Sequence, residues 1–291
     1  MTDLLLLSLI RAHIGASIAI LAVLLLRPLV RRALGPELAY RLWILAPVTA
    51  LTGLFPSLRD FLADGHGIEQ VLPTASSLSG PLLGLFAAGA LALLTLFVLG
   101  EWRFRRLAAQ GRAGPAVMGL SWPRMVAPAD YETRFTAPER ALIRAHEQTH
   151  ITRGDPRSNL VIAAGLVLGW FNPLVHLAAR CARLDQELAC DAAVVARNPQ
   201  SRSLYAQTLL KAHSGKPGSV FACAIADGGR HPLEVRIGAL SRRPLTVEQY
   251  VTRATLLGLL ALAMAVGVWS LSPRTNYGQP GLPTAIAAPD G

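Results

Sequence analysis

The pentapeptide His146-Glu147-Gln148-Thr149-His150 sets two imidazoles at positions i and i+4, with a carboxylate beside the first. On an α-helix those two positions share a face. Both rings can therefore bind one zinc ion, while Glu147 stands where it can take a proton from an attacking water. Catalytic zinc takes three protein ligands and keeps one position open, so a third donor is needed downstream. The segment Leu184-Asp185-Gln186-Glu187-Leu188-Ala189-Cys190-Asp191 offers Glu187 and Asp191, again i and i+4 on one helix face. Glu187 completes a His-His-Glu set, and Asp191 can accept the N–H of a ligating histidine and fix its tautomer. The competing accounts are a chance pentapeptide and an ordinary acidic helix face. The two segments occurring together weigh against both, and they point to hydrolysis of a peptide bond.

The pentapeptide needs a helix, and its flanks supply one. Thr136-Ala137-Pro138-Glu139 reads as a helix start: a capping Thr, a Glu three residues on, a Pro in the first turn. Ala141, Leu142, Ile143 and Ala145 continue it, and Gly154-Asp155-Pro156 end it. Upstream, residues 116–120 and 124–126 read as a short strand pair around a turn at 121–123. Val117, Met118 and Gly119 would then form an edge to which an extended substrate can add; a hairpin with no substrate contact is the equal alternative. The three cysteines are too few for a disulfide framework and suit a reducing compartment. Cys181 and Cys190 lack C-x-x-C spacing and are not read as ligands; Cys190 packs in the core.

Composition places this chemistry at a membrane. Of 291 residues 52% are apolar and only 16% charged, with a mean hydropathy of +0.39. Soluble domains carry about 25% charged residues. The balance excludes a disordered, collagen-like or acidic soluble chain. The net charge of +10 is mostly arginine beside apolar runs, which favours contact with anionic lipid over nucleic acid.

Four runs are candidate spans: residues 4–26, 42–58, 81–100 and 254–271. The first has Asp3 as its only charge before Arg11 and ends in Leu26-Arg27, which reads as a retained span rather than a cleaved signal. Arg11 is expected to snorkel and His13 to pack. Arginine placement puts both termini outside and residues 101–253 in the cytoplasm. A fifth apolar stretch, 160–179, is broken by Gly169-Trp170-Phe171-Asn172-Pro173. Were it to cross once, Glu187 and His150 would lie on opposite sides, so it is expected to be a non-spanning hairpin. The expected organisation is a three-span membrane domain (1–100), a cytosolic peptidase domain (101–252), a fourth span (253–272) and a flexible extracytoplasmic tail (273–291).

With these residues in place, the chain resembles the BlaR/MecR family of integral-membrane zinc peptidases, the antirepressor-type gluzincins. The likeness rests on His146-Glu147-x-x-His150, Arg153-Gly154-Asp155, Trp170-Phe171-Asn172-Pro173 and Glu187-Leu188-Ala189-Cys190-Asp191. Tyr40-Arg41-Leu42-Trp43 and Arg236-Ile237 flank it. The resemblance covers roughly residues 1–272. It implies a mainly α fold: four membrane spans, with a cytosolic gluzincin domain carrying a small β element between spans three and four. It implies one Zn2+ on His146, His150 and Glu187, with Glu147 as base and Asp191 orienting a ligand. The implied activity is cleavage of a transcriptional repressor, and sometimes of the chain itself, at a bacterial inner membrane. It suggests a homodimer, with protein substrate and lipid as partners and no direct nucleic-acid contact. Better-known members carry an extracellular penicillin-binding sensor after the last span, where this sequence has a short tail. The signal is then expected from the loop 59–80, a partner or the bilayer. His176, Tyr205, His231 and Arg236 are undecided candidates for the oxyanion donor. The rival functions are membrane-protein quality control, whose peptidases also pair H-E-x-x-H with E-x-x-x-D, and a non-catalytic zinc-binding scaffold. The Trp-Phe-Asn-Pro stretch favours the antirepressor family.

Overall fold

A computed structural model describes residues 2–54, 78–213 and 231–241, with scattered positions between 248 and 267. In chain order the elements are α1 (Thr2–Ala33), α2 (Pro36–Arg41), a 3-10 turn (Leu42–Ile44), α3 (Leu45–Thr52), α4 (Ser79–Ala109), β1 (Ala116–Met118) and β2 (Arg124–Val126). There follow α5 (Tyr131–Arg134), α6 (Ala137–Arg153), α7 (Asp155–Leu168), α8 (Pro173–Arg197), a 3-10 turn (Pro199–Ser201), α9 (Arg202–His213) and α10 (Pro232–Leu240). The chain is mainly helical, with one two-stranded antiparallel sheet among the described residues.

Among the described residues, two helices are long and apolar enough to cross a membrane: Leu5–Ala33 and Ser79–Ala109. None of the most apolar window of α4 is buried, and Leu85, Leu91, Leu96 and Val98 point outward, an arrangement suited to lipid. The first turns of α1 and α4 lie side by side, with the Ser79 hydroxyl donating to Asp3. Between them, α3 folds back along α1. A Cβ on Gly15 would come within 2.9 Å of the Thr49 carbonyl oxygen, and one on Gly53 within 2.7 Å of Ala12, so only glycine permits this approach. The run 42–58 is helical as far as Thr52. Residues 55–58, most of 254–271, the loop 59–77 and the tail 273–291 lie outside the described residues.

Local chemistry explains the helices of the second half. Thr136 and Glu139 form a reciprocal capping box, the Glu139 carboxylate accepting from the Thr136 backbone N–H at 2.7 Å. Gly154 closes α6 in the left-handed region at φ 73°, where a side chain is strained. The strands pair in the register Ala116↔Val126, Val117↔Met125, Met118↔Arg124. The apolar stretch breaks between α7 and α8, where Asn172 caps α8 by accepting from the Leu174 N–H at 3.0 Å. That turn inserts between the two long helices. Trp170 Nε1 donates to the Phe86 carbonyl at 3.2 Å, Asn172 Nδ2 to Ser17 Oγ at 2.9 Å, and His13 packs edge-on to Phe86 and Phe171.

Helix α8 is the axis of the molecule. One face buries Cys181, Leu184 and Leu188 against Ile20, Val23, Leu38 and Trp43 of α1 and the α2 region. The other buries Val194 and Val195 against Leu142, Tyr205, Leu209 and Leu240. Asp185, fully buried, is held at the C-terminal end of α1. Arg27 donates to it at 3.1 Å, Trp43 Nε1 donates at 2.8 Å, and Arg31 lies 3.6 Å away.

Candidate metal centre

Helices α6 and α8 meet so that the His146/His150 face of one confronts the Glu187/Asp191 face of the other. The two Nε2 atoms stand 3.0 Å apart. The Glu187 carboxylate straddles them, with Oε2 3.5 Å from His146 and Oε1 3.6 Å from His150. Each ring is fixed from behind. His150 Nδ1 donates to Asp155 Oδ2 at 2.6 Å. His146 Nδ1 lies 2.8 Å from the Tyr205 hydroxyl, which itself donates to Asp191 Oδ1 at 2.7 Å. A hydroxyl that gives its proton to Asp191 must accept the one on His146 Nδ1. Both histidines thus carry a proton on Nδ1 and turn the Nε2 lone pair toward the other.

Two ring nitrogens 3.0 Å apart are bridged either by a proton on one of them or by a cation held between them. Zinc bonded to two imidazoles at 2.0–2.1 Å in tetrahedral geometry separates the nitrogens by about 3.3 Å. The surrounding charge agrees. Three carboxylates (Asp155, Glu187, Asp191) pair with two guanidinium groups (Arg153, Arg236), which leaves an excess of negative charge. The donor set fits a divalent cation.

Arg236, from α10, arranges the carboxylates. Its Nε and Nη2 each reach Asp191 at 2.8 Å, and Nη1 reaches Glu187 at 2.9 Å. Burial opposes the charge on Glu187, but this guanidinium and the two imidazoles outweigh it and hold the carboxyl well below the usual range. Burial raises Glu147 instead, against the pull of the same imidazoles, the direction that suits a general base. Burial also keeps Tyr205 a neutral phenol. Cys190 comes closer to the centre than its sequence context indicates: His146, His150 and Cys190 offer ligand atoms within 4.8 Å of one another. Its Sγ lies behind the His146 ring, 3.3 Å from Nδ1, and burial pushes its thiol up.

Glu147 faces an open groove of about 550 Å³ lined by Pro123, Arg124 and Met125 of the hairpin and by Arg144, Ala145, Gln148 and Ile151 of α6. The groove wall is β2. Val117 and Met118 lie on β1, paired with β2, and Gly119 opens the turn.

A family model described as BlaR1 peptidase M56 matches residues 7–79 and 108–240. The chain belongs to this family. Membership in the BlaR1 peptidase M56 family implies a metallopeptidase, with the matched segments running through α1, α6, α8 and α10. A curated relative, "Regulatory protein BlaR1" of Bacillus licheniformis, is 28% identical over 144 residues; the match covers 49% of this chain and 23% of the relative's length.

The site also holds contacts that sequence reasoning did not assign. Asp155, read as part of a helix stop and of the Arg153-Gly154-Asp155 motif but given no role, is the partner of His150. Tyr205 stands between Asp191 and His146, so the 3.4 Å path from Asp191 to Nδ1 is the longer one. Of the oxyanion candidates, Tyr205 is committed behind His146, and His176 bonds the Trp170 carbonyl at 2.8 Å. His231 caps α10 by accepting from the Leu233 N–H, which leaves Arg236 at the centre.

Proposed function

We propose that the chain is an integral-membrane zinc endopeptidase. Its substrate is a cytosolic protein, a transcriptional repressor, cut as part of a signalling response. The single observation carrying this reading is the convergence of His146 Nε2, His150 Nε2 and the Glu187 carboxylate beside Glu147. These three residues hold one Zn2+. Glu187 is preferred to Cys190 because it lies on the Nε2 side of both rings, whereas the thiol lies behind one of them.

What a bound zinc ion supplies there is Lewis acidity toward a water and a carbonyl oxygen. The chain's own groups do the rest. Glu147 takes a proton from the attacking water and passes it to the leaving amine. Asp155, and Asp191 through Tyr205, keep the histidine tautomers fixed. Arg236 holds Glu187 in place. An extended substrate adds to an edge of the hairpin that carries Val117, Met118 and Gly119, whose other strand lines the groove beside Glu147.

The arrangement of helices supports the membrane topology. The side-by-side starts of α1 and α4 support a return of the intervening chain across the bilayer, with the run 42–58 as a second span. Residues 254–271 form a fourth, both termini are extracytoplasmic, and the catalytic domain faces the cytosol of a bacterial-type inner membrane. The α7–α8 hairpin enters between α1 and α4 and comes back, because His150 and Glu187 share one site. The relative's designation as a regulatory protein supports the signalling role.

The test compares new protein N-termini in cells expressing wild type or Glu147→Ala at matched levels, with and without cell-wall stress. The expected result is a cut repressor with wild type alone. Cut membrane proteins would mean quality control. No difference, with zinc bound and stress applied, would mean a scaffold.

A further inference from the structure

The stretch Tyr40-Arg41-Leu42-Trp43 takes no part in the chemistry above, yet it lies against both helices that build the centre. The Tyr40 hydroxyl accepts from Gln186 Nε2 at 2.9 Å and stands 3.4 Å from Asp155 Oδ1, with Ser158 also hydrogen-bonded to it. The other oxygen of Asp155 holds His150 Nδ1. Gln186 immediately precedes Glu187 on α8. Asp155 and Gln186 are 1% and 3% exposed, so each depends on protein partners for its polar atoms. One hydroxyl therefore stands between the carboxylate that orients one ligand and the neighbour of another. The ring does something separate: the Arg153 guanidinium lies over it, 5.1 Å from its centre, and is itself paired with Glu37 at 2.6 Å.

We propose that Tyr40 is a positioning residue of the metal centre, its hydroxyl bridging Asp155 and Gln186 so that His150 stays in register with Glu187. The inference rests on the assignment of His146, His150 and Glu187 as ligands. It gives the helix that follows the first span a part in metal binding, although none of its residues touches the metal site directly.

Two substitutions separate hydroxyl from ring. Tyr40→Ala removes both; Tyr40→Phe keeps the ring and its contact with Arg153. The full chain, purified in detergent micelles, is titrated with Zn2+ against a chromophoric chelator, and with Co2+ while its visible absorption is recorded. Melting is followed by circular dichroism. Outer partners of metal ligands typically contribute 10- to 100-fold in affinity; Tyr40 is one bond further out, and its loss is expected to weaken Zn2+ binding about 3- to 10-fold. Tyr40→Phe should melt like wild type, bind Zn2+ more weakly and shift the Co2+ bands. Gln186→Met, which removes the same link from α8, should shift them in the same way. Wild-type affinity and spectrum in both variants would overturn the proposal and leave Tyr40 a packing residue. A wild-type chain that binds neither ion would overturn the ligand assignment itself, and the inference with it.

Discussion

Asp185 and Asp191 sit on the same helix, both buried, both bound by arginine, and they do different work. Asp185 faces the membrane-side core, where Arg27, Arg31 and Trp43 surround it. Asp191 faces α9 and α10, where Arg236 grips it with two bonds and Tyr205 links it to His146. Similar side chains in similar burial thus make a fastening in one place and an orienting device in the other. What separates them is the next group along: an imidazole with its Nε2 turned to a shared centre lies beyond Asp191, whereas Asp185 is met by two guanidinium groups and an indole. Burial and ion pairing alone do not distinguish a functional carboxylate from a structural one.

This contrast can be broken by experiment. The largest effect belongs to the group in the chemistry itself. Glu147→Gln should lower the rate of substrate cleavage by about 10²- to 10⁴-fold, with Zn2+ affinity and melting temperature unchanged; cleavage at the wild-type rate would remove Glu147 as base. Next comes Asp185→Ala, which takes the carboxylate away from two buried guanidinium groups and should destabilise by about 3–5 kcal/mol, read as thermal melting in micelles. The fraction that stays folded should bind Zn2+ with near-normal affinity. Asp191→Asn should behave oppositely, weakening Zn2+ binding about 10- to 100-fold with a smaller loss in melting. Equal losses of metal affinity in the two variants would collapse the distinction between them. The smallest effect is at the start of α6, where Thr136→Ala removes the cap and should cost about 1 kcal/mol.

The same cap gives a pH dependence. Lys211 and the Thr136 backbone hold the Glu139 carboxyl below its usual range. Its contribution is therefore present above the unfolded value of 4.5 and is lost as pH falls through the lower folded value. Acid melts of wild type and Glu139→Gln should converge as pH drops below that window; curves that stay parallel would show no linkage at this site.

Much of the centre was legible because its signals are local. The capping box, the i,i+4 histidines, the glycine stop and the Glu187/Asp191 spacing are each written within a few residues. The helix break before Pro173 and the strand pair at 116–126 are equally short-range. What could not be read joins distant parts of the chain: Tyr205 to His146, Arg236 to Asp191, Arg27 to Asp185, Tyr40 to Asp155. No periodicity announces such contacts. They arise because α8 is buried on two faces, and each buried charge on it has to find a partner from another helix. Asp155 was hidden in another way, since its place after Gly154 served equally well as a helix stop.

The turn at Gly169–Asn172, seated between the two long helices, makes α8 a lever. From Pro173 to Glu187 the helix is a stiff rod of about 21 Å. Rocking it by about 5° at the seated end carries the Glu187 carboxylate nearly 2 Å, at a site where about 1 Å of misplacement is enough to cost catalysis 10²-fold. A change in the spacing of α1 and α4 is thereby geared to the peptidase centre without any part of α8 having to unfold.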